Sequence, residues 1–199
     1  MTDLRELLQR EDVRSISRRY FISNGFDGTL TSIGVVVGSY LSGVDDGLTV
    51  VAIGLGAAVG LGTSGVWSVW EIERAEKRAE LLRIEAAMLT DLEGTRVQER
   101  QAGARSINAV ASGVGPLIGI LLPLGPFLAE GVTFSMLEAT VAAIGVGVAV
   151  LFVFGAYLGS ISKQNWLVAG VRMGLAGVVV AAINVLLPGY GSSSDAVSP

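Results

Sequence analysis

The chain has 199 residues, of which 51% are hydrophobic and only 16% charged, and its mean hydropathy is +0.60. It contains no Cys and no His, which excludes disulfides, thiolate metal sites and thiol catalysis. It also removes the commonest neutral metal ligand and the usual acid–base side chain near neutral pH. Any ion chemistry must therefore use carboxylates, Met, Ser, Thr, Asn and backbone oxygens.

Residues 1–21 are charged and read as a cytoplasmic interfacial helix, with Leu4, Leu7, Leu8 and Ile16 on one side and Arg and Glu on the other. A frayed polar terminus is the alternative. No cleaved secretory signal is expected, because the first apolar run is longer than a signal core of roughly 7–15 residues. Five segments then reach the roughly 20 apolar residues needed to cross a bilayer: Ile22–Leu41, Leu48–Trp70, Ile107–Leu128, Met136–Ile161 and Trp166–Leu187. They do not alternate apolar with polar, so helices are expected rather than barrel strands. The expected fold is all-α, a polytopic membrane protein of five transmembrane helices with a short cytoplasmic helical insert between the second and third.

The first segment carries Asp27 within Ser23-Asn24-Gly25-Phe26-Asp27-Gly28-Thr29-Leu30-Thr31. An acid inside a span is costly and marks a functional site by default, with Asn24, Thr29 and Thr31 as further oxygens. The alternative is an Asp at the headgroup level capping the true start of the helix. The 22–70 region holds helices one and two.

Residues 71–106 are the sizeable soluble part, read as one helix to about Leu92, a turn at Gly94 and a short helix leading into span three. Leu81, Ile84, Met88 and Leu92 form an apolar stripe at helical spacing. Glu73, Glu76 and Glu80 can line one face and share a hard divalent ion with a partner helix, with the Met88 sulfur two turns on. The competing reading is an ordinary solvated face, since Arg74, Lys77, Arg78 and Arg83 are interleaved with the acids; Glu73 and Lys77 also have i,i+4 spacing.

The 107–187 region holds helices three to five. Pro123 and Pro126 in Leu122-Pro123-Leu124-Gly125-Pro126-Phe127 mark either a helix break of the kind transporters place near ion sites or simply the outer end of the helix. Arg172 either snorkels to the surface or pairs with Asp27, whereas Ser112 and Asn184 read as inter-helix hydrogen-bond groups. Gly34/Gly38, Gly56/Gly60, Gly115/Gly119, Gly155/Gly159 and Gly170/Gly174 have the small-xxx-small spacing that lets helices approach in lipid. Residues 188–199, rich in Ser and Gly, read as a disordered extracytoplasmic tail. Basic residues cluster before the first span, in the 71–105 segment and at Lys163. The positive-inside rule then puts the N-terminus in the cytoplasm and the C-terminus outside the cell membrane. No nucleotide-binding loop, nucleophile elbow or basic aromatic patch appears, so neither an ATPase nor a nucleic-acid partner is expected.

The sequence resembles the vacuolar iron transporter (VIT-like) family, as a divergent prokaryotic member. Asp27-Gly28-Thr29-Leu30-Thr31 is similar to the family's first-helix Asp-Gly-Leu-x-Thr signature. Leu122-Pro123-Leu124-Gly125-Pro126-Phe127 is similar to its third-helix Leu-Pro-x-x-Pro-Phe, and Gly159-x-x-Ser162 with Asn165-Trp166-Leu167-x-x-Gly170 to the start of its fifth helix. The resemblance implies a homodimer in the lipid bilayer, with an ion path between subunits lined by the first helices and Asp27 as the transport carboxylate. It implies divalent cation (Fe²⁺/Mn²⁺-type) export from the cytoplasm by proton antiport, no permanently bound cofactor, and no enzymatic activity. The transport set is then Asp27, Asn24 and Thr31, and the metal set Asp27, Glu73, Glu76, Glu80 and Met88. This chain departs from the family in its second helix, where Gly60–Trp67 lacks the usual acid and Met and offers only Thr63 and Ser64. Its insert is also shorter and poorer in carboxylates than in iron-loading members. An all-oxygen site suits Mn²⁺, Mg²⁺ or Ca²⁺ better than Fe²⁺. The rival reading is a non-transporting membrane scaffold or partner-binding subunit that keeps the fold. An intramembrane lipid-cleaving enzyme is disfavoured, because the buried acid has no base or nucleophile beside it.

Overall fold

The computed structural model describes residues 11–88 and 96–187, and every regular element among them is helical. Helix α1 spans Glu11–Leu41, α2 Gly47–Met88, α3 Arg96–Leu124, α4 Met136–Ile161 and α5 Trp166–Leu186, with a 3₁₀ turn Gly125–Ala129 after α3. Among the described residues four stretches are long and apolar enough to cross a membrane: Gly47–Ala87, Gly103–Ala129, Met136–Ile161 and Trp166–Leu186. That differs from the five expected. At 31 residues, or about 46 Å, α1 has ample length. What dilutes its apolar half is Asn24, Asp27, Thr29, Thr31, Ser32 and Ser39, and several of these are committed to helix contacts described below.

One continuity also differs from the reading of separate pieces. Residues 11–21 run into the first apolar segment without a break, so Asp27 sits in mid-helix and does not cap a helix start. The charged extension of α2 runs on from its apolar half to Met88 as one helix, and α3 begins at Arg96 and continues through its apolar stretch, in line with a helix running on from span two and another leading into span three. The turn at Gly94, residues 1–10 and the tail 188–199 lie outside the described residues.

Helix α3 is the centre. Of its apolar window 56% is buried, against 17–28% for the other three stretches, and it packs on α1, α2 and α4. Val36, Val50, Ile120, Leu124, Phe127 and Ala139 form one core near the 3₁₀ turn. Ile33, Val37 and Leu151 form a second between α1 and α4. Outside these cores the apolar residues point outward: Val59 and Trp67 on α2, Val141 and Val153 on α4, Val179 and Val185 on α5 are all exposed. Such a surface suits hydrocarbon rather than water.

Loops are short and capped. Asp46 accepts from the Thr49 backbone N–H at 2.8 Å and from its hydroxyl at 2.6 Å, which starts α2. Ser135 and Glu138 form a reciprocal capping box at the start of α4, and the Asn165 side chain caps α5 by accepting from Leu167 N–H.

Glycines decide which helices meet backbone to backbone. A Cβ at Gly28 would lie 2.6 Å from Cα of Pro116, and one at Gly119 would lie 2.7 Å from the Thr29 hydroxyl. Between α4 and α5 a Cβ at Gly155 would lie 2.9 Å from Cα of Gly170. By contrast Gly56, Gly60 and Gly145 have open space around them in the single chain. We therefore expect Gly119→Ala to destabilise the fold by about 1–3 kcal/mol, the usual cost of overpacking. Gly145→Ala should leave it unchanged. Thermal melting of both variants in detergent checks this, and equal midpoints would contradict the α1–α3 contact.

Candidate functional site

The site begins with how α1 is held. Pro116 has no N–H, so inside α3 it leaves the carbonyl four residues back, Ser112, without its helical donor. In a bilayer such a group must find a partner within the protein. Asn24 supplies it: its side-chain amide donates to the Ser112 carbonyl at 3.2 Å and also contacts the Ser112 hydroxyl. That hydroxyl donates in turn to the Gly65 carbonyl of α2 at 2.9 Å. One polar chain therefore ties α1, α3 and α2 together. Above and below it, the Ser17 hydroxyl donates to Asn108 at 2.6 Å and the Ser32 hydroxyl to the Ile120 carbonyl at 3.3 Å.

This seam fixes the rotation of α1. With Gly25, Gly28 and Ser32 against α3, and Ile33 and Val37 against α4, the opposite face carries Ser23, Asp27 and Thr31 at four-residue spacing. Ser23 and Asp27 are exposed and Thr31 half-buried. The Asp27 carboxylate thus points away from its own bundle. Arg172 on α5 is exposed as well, and no ion pair joins it to Asp27 within the chain.

The carboxylates on the charged extension of α2 separate into two groups. Glu73 is buried, at 3% exposure. It and Glu76 lie close enough to Tyr20 of α1 to act on its phenol. Burial first, and then the Glu73 charge, push the Tyr20 pKa above its ordinary value, while the neighbouring Arg19 opposes the shift. Tyr20 is seven residues before Asp27, two helical turns or about 10 Å along α1. Glu80 instead faces solvent and accepts from Lys77 at 2.9 Å, and Glu71 pairs with Arg74 at 3.6 Å. That end of α2 carries the mixed-charge pairing of a solvated helix. Met88 closes α2, and its side chain lies outside the described residues. Among the described residues no three Asp or Glu side chains converge on one point, so Asp27 and the Glu73/Glu76 pair are separate stations.

Pro123 is buried in the last turn of α3, and Pro126 opens the 3₁₀ turn that follows. The α-helix therefore breaks between them, at the edge of the core around Phe127 and distant in sequence from the Asn24–Ser112 seam. Sequence reasoning read Ser112 as an inter-helix hydrogen-bond group, as it is, but passed over Pro116 and so named no partner for it. The readable signal was their four-residue spacing, a proline aimed at the carbonyl of a residue with its own hydroxyl.

Two predictions follow from this geometry. Asn24→Ala leaves the Ser112 carbonyl unsatisfied and should cost about 1–3 kcal/mol; Pro116→Ala restores the helical donor, so the double variant should lose clearly less than the sum in a thermal-melt cycle. Glu73→Gln should bring the Tyr20 titration down toward the ordinary phenol range, read as the absorbance difference from a Tyr20→Phe protein.

Comparison with known proteins adds a lineage. A sequence model of the VIT family matches residues 67–188, the second half of α2 through α5. An uncharacterized protein of Methanocaldococcus jannaschii, MJ0645, is 31% identical over 168 residues, which is 83% of this chain and 84% of that protein. The family match begins beyond α1, so Asp27 rests on its own geometry.

Proposed function

The chain belongs to the VIT family, and on that premise we propose that it exports a divalent cation of the Fe²⁺/Mn²⁺ type from the cytoplasm by proton antiport, along a path between two copies. The observation that carries this reading is the outward-facing Ser23–Asp27–Thr31 stripe. In this reading α1 is the fifth crossing, beside the four apolar helices. A charged Asp facing hydrocarbon at mid-bilayer costs roughly 2.5–3.5 kcal/mol or more, whereas a second copy of the same face would enclose it. Isologous two-fold contact is the commonest way for one surface to cover itself. Two Asp27 carboxylates then flank one path, and each binds either a proton or a share of the cation, which couples the two fluxes.

The remaining residues take roles along that path. Glu73 and Glu76, beside Tyr20 at the arginine-rich end of α1, gather cations before they reach Asp27. Thr31 adds a neutral oxygen one turn beyond Asp27. Asn24 holds the helix that presents them, because its amide is bound to Ser112. In this reading the chain lies in the cell membrane with this end in the cytoplasm and the C-terminus outside, which the clustering of Arg and Lys in residues 5–19 and 71–105 and at Lys163 supports. Carboxylate and hydroxyl ligands favour hard ions, and the reading therefore puts Mn²⁺ ahead of Fe²⁺. The scaffold reading keeps one observation in its favour: the outer face of α2 offers Thr63 and Ser64, both exposed, and no carboxylate near Asp27.

Proteoliposomes containing the chain should show Mn²⁺- or Fe²⁺-dependent proton flux that Asp27→Asn abolishes, while Glu80→Gln, at a solvated pair, leaves it within about twofold. Flux that survives Asp27→Asn would remove Asp27 from the mechanism. A wild-type protein that neither moves nor binds either metal would favour the scaffold.

A further inference from the structure

The arginines of α1 do more than set orientation. Where α1 runs past the ends of α4 and α5, a groove of about 520 Å³ opens between them. Arg18 and Arg19 give it a charged end, and Ile22, Phe26, Leu158 and Met173 supply most of its apolar wall. A second groove, about 320 Å³, opens between α1, α3 and α4, with Arg14 and Arg18 at its polar end and Phe21 and Tyr157 below them. Arg18 borders both, so the two grooves lie on either side of the last turns of α4. Among the described residues neither groove is lined by an acidic side chain.

We propose that the Arg18 groove holds an anionic diacyl phospholipid, its phosphate against Arg18 and Arg19 and an acyl chain along Phe26, Leu158 and Met173. Three features select this occupant. From Arg18 to Phe26 the groove passes from guanidinium to hydrocarbon over about 12 Å of helix, an amphipathic profile that a polar metabolite does not match. Its charge repels the cation the chain is proposed to carry. Its polar end adjoins the stretch of α1 that precedes the apolar segment, where anionic headgroups lie and each nearby Arg contributes about 1 kcal/mol of attraction. The groove also lies beside the Ser23–Asp27 stripe, since Ser23 lines both. A lipid there would brace the rotation of α1 that presents Asp27. The inference rests on α1 crossing the bilayer with its arginines at one surface, and is independent of what is transported.

Native mass spectrometry of the detergent-purified full chain, titrated with phosphatidylglycerol and with phosphatidylcholine, tests it. Phosphatidylglycerol should bind at least tenfold more tightly. Arg18→Gln should cut that preference about fivefold, the equivalent of one arginine's attraction, whereas Arg83→Gln on the extension of α2 should not. Leu158→Trp, which fills the apolar end, should weaken binding of both lipids while leaving the arginines in place, and covers the case in which Arg18→Gln fails to fold. Soluble glycerol phosphate should not compete; competition at equal concentration would show that a free phosphate suffices and would overturn the lipid assignment. Equal affinity for the two lipids, or equal loss in Arg18→Gln and Arg83→Gln, would overturn it as well. Asp27→Asn should keep the full lipid preference, so a failure here and a failure of the transport reading are told apart.

Discussion

The close approach of α1 to α3 is the contact on which the rest of the structure depends. In hydrocarbon two helices gain nothing from burying apolar surface, because lipid is as apolar as Leu; they associate through tight packing and inter-helix hydrogen bonds. Here both are present along one seam. Gly28 and Gly119 let the two backbones touch, and Ser17, Asn24 and Ser32 donate across to α3. Pro116 makes the polar part obligatory, since it deprives the Ser112 carbonyl of a helical donor and Asn24 replaces it. Helix-breaking chemistry within α3 has thereby become a specific docking point for α1. Through the Ser112 hydroxyl and Gly65 the same point reaches α2.

That seam has a consequence for charge. A helix locked to its neighbours on one face must present the other, and on α1 the other face carries Asp27. An enclosed Asp27 would need a partner from within the bundle, yet Arg172 is exposed and joined to it by no ion pair. In a membrane such an ionised carboxylate is favoured by a cover from outside this bundle or by ions brought to it. At the arginine-rich end the same helix meets Glu73 and Glu76 through Tyr20. The polar groups of α1 thus divide in two, some binding the helix in place and some left facing outward.

Hydropathy made α2, α3, α4 and α5 legible as apolar helices, because length and apolar content alone identify them; the bounds of α4 and α5 match closely, whereas α2 runs on past Trp70 and α3 starts well before Ile107. By the same measure α1 falls short, because its polar residues serve the seam and the stripe together. Asn24, Asp27, Thr29, Thr31 and Ser32 fall within nine residues of one helix, and composition cannot say which of them face inward. Rotation is set by α3, a helix some ninety residues away in sequence. Small-xxx-small spacing met the same limit. Gly115/Gly119 and Gly155/Gly159 pack against neighbouring helices, whereas Gly56/Gly60, identical in pattern, face open space. The acids of α2 were visible as a set, but only the fold separates buried Glu73 from Glu80, which pairs with Lys77 in solvent. The meaning of Pro116 is not carried by the sequence alone; it lies in the carbonyl it frees and in the Asn24 that takes it.

The central claim is that the outward face of α1 meets the same face of a second copy. Because the chain has no native cysteine, a single introduced thiol reports on that contact without background. Oxidation of Thr31→Cys protein in native membranes should give a cross-linked dimer in high yield, while Val141→Cys, on the exposed face of α4, should remain monomeric under the same conditions. Cross-linking at Val141→Cys without any at Thr31→Cys would contradict the claim and leave Asp27 to be covered in some other way.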